Sequence, residues 1–153
     1  MIVDDESLAL SRLKRLLNEN GIEDITAFDN PIDALKEVTK TKFDAVFLDI
    51  SMPNITGLEL ADSIIQLEPK TFIIFQTAYS EFALEAYKSG GMGYLVKPID
   101  SNNIKNILEK VRNFKSSLNE ESKKILGKRG DKLYLIDIND IYYIKADLDE
   151  VIV

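Results

Sequence analysis

The chain has 153 residues, a formal net charge of −7 and 45% hydrophobic residues, which suits a soluble globular protein with one well-packed domain and some chain left over. It has no Cys and no His, which excludes a disulfide framework, thiolate or imidazole metal ligands, a histidine general base and a phosphohistidine on this chain. Residues 1–118 carry 13 basic and 18 acidic side chains and residues 119–153 carry 6 and 8, so neither part has the basic excess of a nucleic-acid footprint.

Apolar runs alternate with helical patterns as far as about Leu118. Residues 1–3 form a very short first strand, whose brevity suggests residues missing before Ile2. They turn acidic at once, unlike a signal peptide, and no run in the chain approaches transmembrane length. Leu10, Leu13, Leu16 and Leu17 then mark one face of a helix. Residues 24–28 are the second strand. Asn30-Pro31 supplies a cap and a first-turn proline for a helix over 31–39. Residues 44–48 are the third strand, and Leu58, Ala61, Ile64 and Ile65 form the next helical stripe. Residues 71–76 are the fourth strand, 81–88 a short helix ended by Gly90-Gly91, and 93–96 the fifth strand. Asp100 or Ser101 caps a last helix with the stripe Ile104, Ile107, Leu108, Val111 and Phe114. Five strands in strict alternation with five helices demand a parallel sheet covered on both faces.

The strand ends carry the chemistry. Ala45-Val46-Phe47-Leu48 closes on Asp49, followed by a loop containing Pro53 and Gly57. Met1-Ile2-Val3 closes on the paired acids Asp4 and Asp5, and Tyr94-Leu95-Val96 closes on Lys97-Pro98. In a parallel α/β sheet, sites form just beyond the carboxyl ends of the strands. Singly, Asp49 reads as a turn or cap residue, Asp4-Asp5 as a capping pair and Lys97 as a solvated lysine. Jointly they read as a site. Clustered carboxylates repel unless a divalent cation sits among them, and a lysine neutralises an added phosphoryl charge. The sum is a Mg²⁺ site beside a carboxylate that can take phosphate.

This constellation, with Thr77 at the end of the fourth strand, resembles the receiver domain of two-component response regulators over residues 1 to about 118. The resemblance implies a flavodoxin-like, doubly wound sheet in the order 2-1-3-4-5. It makes Asp49 the phosphorylated aspartate. It assigns Mg²⁺ to Asp4, Asp5, Asp49 and the Ser51 carbonyl. Lys97 would pair with the phosphoryl group and precede a cis peptide to Pro98. Thr77 would bond the phosphate, and Tyr94 would be the aromatic switch. Taken without the acids, Thr77 is a strand-end hydroxyl bonding to backbone and Tyr94 a half-buried strand aromatic. The implied protein is a cytoplasmic phosphoacceptor and not an enzyme beyond self-catalysed phosphoryl transfer and autodephosphorylation. Its partners would be a sensor histidine kinase and a second copy, the latter through the face formed by the fourth helix, fifth strand and fifth helix. No membrane partner is implied.

From Lys115 the pattern becomes polar and linker-like. Short alternating runs follow at 124–128, 133–136, 141–146 and 151–153, with turn candidates at Arg129-Gly130-Asp131 and Asp147-Leu148-Asp149. The expected division is a receiver over 1–118 and, over 119–153, a linker and the first strands of an incomplete all-β domain. The run Ile138-Asn139-Asp140-Ile141-Tyr142-Tyr143-Ile144-Lys145-Ala146 resembles the opening of a LytTR-type DNA-binding domain, although Lys145 stands where that family usually has an acid. The resemblance implies transcriptional control, with DNA contacts made beyond Val153 by the full-length protein. A receiver that works by protein docking without DNA is the competing reading. A phosphatase of the haloacid dehalogenase type would need a second acid two residues after Asp49, where this chain has Ser51.

Overall fold

Strands and helices alternate through the first of two compact units, Met1–Arg112. In order they are β1 (Ile2–Val3), α1 (Ser7–Glu19), β2 (Ala27–Phe28), α2 (Pro31–Val38), β3 (Ala45–Asp49), α3 (Gly57–Leu67), β4 (Phe72–Thr77), α4 (Ala83–Lys88), β5 (Gly93–Val96) and α5 (Ser101–Glu121). The computed structural model describes residues 1–79, 83–121, 124–129, 132–137, 145–146 and 151–152, with side chains up to residue 118. The five strands form one parallel sheet in the expected order, β2-β1-β3-β4-β5.

Central parallel strands are covered on both faces and therefore read as continuous apolar runs. Every residue of β4 is buried, as are Val46, Phe47, Leu48 and Asp49 of β3. Alternate residues face opposite ways. Val3, Val46, Leu48, Ile73 and Phe75 join Ala34 and Val38 of α2, and Leu60, Ala61 and Ile64 of α3, in one core. On the other face lie Ile2, Phe47 and Ile74, and α1 and α5 contribute the buried Leu13, Leu16, Leu17, Ile104, Ile107 and Leu108.

Helix starts are fixed by local chemistry. Asn30 Oδ1 accepts from the N–H of Ile32 at 2.8 Å, and Pro31 opens α2. Thr56 and Glu59 form a reciprocal box at the start of α3: Glu59 N–H donates to Thr56 Oγ1 at 3.3 Å and Thr56 N–H to Glu59 Oε2 at 2.9 Å. Asp100, rather than Ser101, caps α5, its Oδ1 accepting from the N–H of Asn103 at 2.8 Å.

Four boundaries differ from those expected. β2 is only Ala27–Phe28, and Asp49 and Thr77 are the last residues of their strands instead of lying just past them. The last helix does not give way at Lys115 but runs to Glu121. Lys, Leu and Glu are good helix formers, so a polar composition there continues the helix as readily as it would a linker. Helix α5 crosses the boundary of the second unit, Asn113–Val153, where β6 (Lys124–Arg129) pairs antiparallel with β7 (Lys132–Asp137) and β8 (Lys145–Ala146) with β9 (Val151–Ile152). Residues 138–144, Gly130-Asp131 and Asp147-Leu148-Asp149 lie outside the described residues.

Gly57 ties the third helix to the end of β3. Its N–H donates to the Ile50 carbonyl at 3.0 Å. A Cβ there would lie 2.0 Å from the Asp49 carbonyl oxygen and 3.0 Å from Ile50 Cα. Both obstacles are backbone, so no rotamer change relieves them. Gly57→Ala should therefore cost about 2–3 kcal/mol in urea unfolding. Wild-type stability in that variant would refute this packing.

Candidate functional site

The parallel register sets the site. Val3 pairs with Leu48, so the residues just beyond, Asp4 and Asp49, come level at the carboxyl edge of the sheet. Asp49 in turn pairs with Gln76, and Gln76 with Leu95. Asp4 stays in the ladder through its N–H, which donates to the Phe28 carbonyl at 3.1 Å. One row across the sheet therefore reads Asp4, Asp49, Gln76, Leu95, and Lys97 stands just past the end of β5.

Lys97 joins the two acids. Its Nζ donates to Asp4 Oδ2 at 2.7 Å and to Asp49 Oδ1 at 2.7 Å. The acids are deeply buried, with side-chain exposures of 0% and 8%, whereas Lys97 keeps 23%. Asp4 Oδ1 accepts from the N–H of Glu6 at 3.0 Å, and Oδ2 also accepts from Gln76 Nε2 at 3.2 Å. Asp49 Oδ2 accepts from the N–H of Ser51 at 2.8 Å.

Burial pushes the Asp4 carboxyl up from its ordinary 3.8, against the opposing pull of Lys97. Burial alone would lower Lys97, but its hydrogen bonds to Asp4 and Asp49 outweigh that and raise it above 10.5. The cluster thus holds two carboxylates around one ammonium.

The other expected site residues are placed as follows. Asp5 is exposed, and among the described residues no group of three or more acids is gathered closely enough to hold a metal ion. What the two gathered acids do hold is a cation, the Lys97 ammonium, bracketed by one oxygen of each. Hard carboxylate oxygens at such spacing suit Mg²⁺ chemically, provided the ion shares them with Lys97. Thr77 is buried, and its Oγ1 accepts from the N–H of Tyr79 at 3.2 Å. The hydroxyl of Tyr94 donates to the carbonyl of the same Tyr79. One residue is thereby held by the side chains of both Thr77 and Tyr94. The Lys97–Pro98 peptide is cis. A cavity of about 410 Å³ between α1 and the turn after β5 is lined in part by Leu13, Leu16, Arg12, Gln76, Lys97 and Ile99.

Sequence reasoning passed over Gln76. The signal was there: it is an amide directly after the apolar run Phe72-Ile73-Ile74-Phe75, inside the expected strand, and a buried polar residue is more informative than any buried leucine.

Removing the ammonium leaves two buried carboxylates facing each other. Lys97→Met should cost about 3 kcal/mol at neutral pH, read by urea unfolding. The loss should shrink on acidification, beginning above pH 3.8 because the folded-state value for Asp4 is raised. In the unsubstituted chain the stability drawn from Lys97 is fully present below pH 10.5, and it should fall as pH rises through the higher folded-state value. A pH-independent loss in Lys97→Met would contradict this charge arrangement.

Comparison with known proteins gives this edge its context. A family model described as the response regulator receiver domain matches residues 1–109. A response regulatory protein of Shewanella oneidensis is 38% identical over 97% of this chain and 65% of its own length. The transcriptional regulatory protein YpdB of Escherichia coli K12 is 33% identical over 95% of this chain and 64% of its own. The chain thus spans about two thirds or less of the length of these relatives. Among solved structures, the response regulator TrrA of Thermotoga maritima in complex with Mg²⁺ and BeF superposes with a TM-score of 0.66, at 35% identity over 72% of this chain and 95% of that one. The match over most of the length, the sheet order and the level row of acids agree: this chain belongs to the response regulator receiver domain family.

Proposed function

We propose that Asp49 accepts a phosphoryl group from a phosphohistidine, with Mg²⁺ at Asp4, Asp5, Asp49 and the Ser51 carbonyl, and that the change is passed to a transcriptional output. The observation that carries this reading is the Lys97 ammonium held 2.7 Å from both Asp4 and Asp49 at the carboxyl edge of the sheet. The 153 residues contain no His, so the phosphohistidine lies outside them, and a sensor histidine kinase is the expected source. The protein acts as an acceptor in this reaction, and any catalysis is of its own phosphorylation and dephosphorylation.

The hydrogen bonds suggest which oxygen attacks. Asp49 Oδ2 is held by a backbone N–H and stays so, while Oδ1 is bonded by the ammonium of a partly exposed lysine. Oδ1 attacks phosphorus, the phosphorus–nitrogen bond to the donor imidazole breaks, and the ammonium follows the new negative oxygens. When bound, Mg²⁺ neutralises charge on the transferring phosphoryl oxygens. An added charge of about −2 then draws the Thr77 hydroxyl away from the N–H of Tyr79. Tyr94, bonded to the carbonyl of Tyr79, responds with it.

The surface on that side carries Tyr79, Leu84, Tyr87 and Val96 as exposed apolar groups. They support a dimerisation surface on α4, β5 and α5 whose pairing follows phosphorylation. The transcriptional part of the proposal rests on YpdB's name and on the LytTR-like sequence of residues 138–146. In it, a DNA-binding domain completed beyond residue 153 makes the DNA contacts.

Asp49→Asn should abolish the gain of one phosphoryl mass when the chain is incubated with a small acyl phosphate and Mg²⁺, while the unsubstituted chain is labelled. Undiminished labelling of Asp49→Asn would remove Asp49 from the mechanism.

A further inference from the structure

The oxygen that Asp4 shares with Lys97 has a second donor. Gln76 Nε2 reaches Asp4 Oδ2 at 3.2 Å, and that oxygen also holds the Lys97 ammonium at 2.7 Å. Gln76 sits on β4 and Asp4 beyond β1, with all of β3 between them. Two strand spacings are about 9.6 Å, so this bond passes across the end of the strand that carries Asp49. Gln76 is 1% exposed and Asp4 0%. A fully buried amide on a central strand costs stability unless it is bonded, and leucine there would suit an apolar face better.

We propose that Gln76 is a positioning residue: it keeps the Asp4 carboxylate aimed at the cation position once Lys97 has left it. This rests on the reading of Asp49 as the phosphoacceptor with Mg²⁺ beside it. In the structure described here, Lys97 orients both acids at once. A lysine that follows the phosphoryl group releases Asp4 Oδ2. Without another donor, the buried carboxylate would keep only the Glu6 N–H on its other oxygen and could rotate about its χ2 bond. The carboxamide prevents that rotation with a neutral group. A second ammonium would do the same, but it would also compete electrostatically with a divalent cation. A neutral donor bonded to a metal-binding carboxylate is the arrangement that orients such ligands in general. Length matters as well: asparagine would end about 1.5 Å short.

Three substitutions in the 153-residue chain separate this role from simple packing. Gln76→Met keeps the volume and loses the donor. Gln76→Asn keeps the amide and loses the reach. Ile74→Val, one pleat earlier on the same face of β4, trims packing without touching Asp4. Mn²⁺ binding, counted by the EPR signal of the free ion and competed with Mg²⁺, gives affinity without any phosphorylation. Thermal melting gives stability in parallel. Both Gln76 variants should bind Mg²⁺ about tenfold more weakly, and Ile74→Val should bind it as the unsubstituted chain does while melting at lower temperature. If Gln76→Met does not fold, Gln76→Asn carries the test. Unchanged Mg²⁺ affinity in the folded Gln76 variants overturns the positioning role, and so does an equal loss in Ile74→Val. Failure of the unsubstituted chain to bind Mg²⁺ overturns the underlying reading together with it.

Discussion

The site depends on one arrangement: two carboxylates taken out of water and one ammonium placed between them. Neither acid could be so deeply buried alone, because desolvating an unpaired carboxylate costs several kcal/mol, about enough to unfold a marginal domain. The parallel register supplies the geometry, since it levels Asp4 with Asp49 across neighbouring strands. The turn after β5 supplies the counter-charge. The pairing is deliberately incomplete in charge, with one positive group against two negative ones. A site that is already neutral has little use for a further cation. This one retains a demand for positive charge and keeps its lysine partly exposed.

Much of this was legible in the chain, for definable reasons. Asp4, Asp49 and Lys97 each end an apolar run, and a charge in that position has few alternatives to the sheet edge. The order of the elements follows from alternation, because parallel strands need crossovers and crossovers have one hand. Boundaries were less legible. Asp49 and Thr77 belong to their strands because pairing with Gln76 and Val96 continues one residue beyond the expected strand ends. The cap made by Thr56 and Glu59 is hidden in sequence by the stronger turn signals of Pro53 and Gly57 beside it. The extension of α5 to Glu121 went unread because polar helix and polar linker share a composition. Gln76 needed the register itself, since nothing in its neighbours along the chain points to a carboxylate two strands away.

Strand β4 emerges as the element on which the two halves of the site converge. Consecutive residues point to opposite faces, so Gln76 and Thr77 look in different directions from adjacent positions. Gln76 reaches back towards the first strand and the acid there. Thr77 reaches forward to the N–H of Tyr79. The fourth strand therefore touches both what holds the charge and what would report it, through a backbone too well packed on both sides to deform gradually.

The two ends of α4 are held very differently. Beyond its last residue the chain is clamped: Gly91 donates to the Ala86 carbonyl at 2.9 Å, Met92 to the Ile73 carbonyl at 2.9 Å, and a Cβ on Gly91 would already overlap the Phe75 ring. Ahead of the helix, Tyr79 hangs from two side-chain hydroxyls, one on each neighbouring strand. Main-chain bonds therefore fix the glycine end of α4, whereas Tyr79 is tied to two side-chain hydroxyls, each of which could take a different partner.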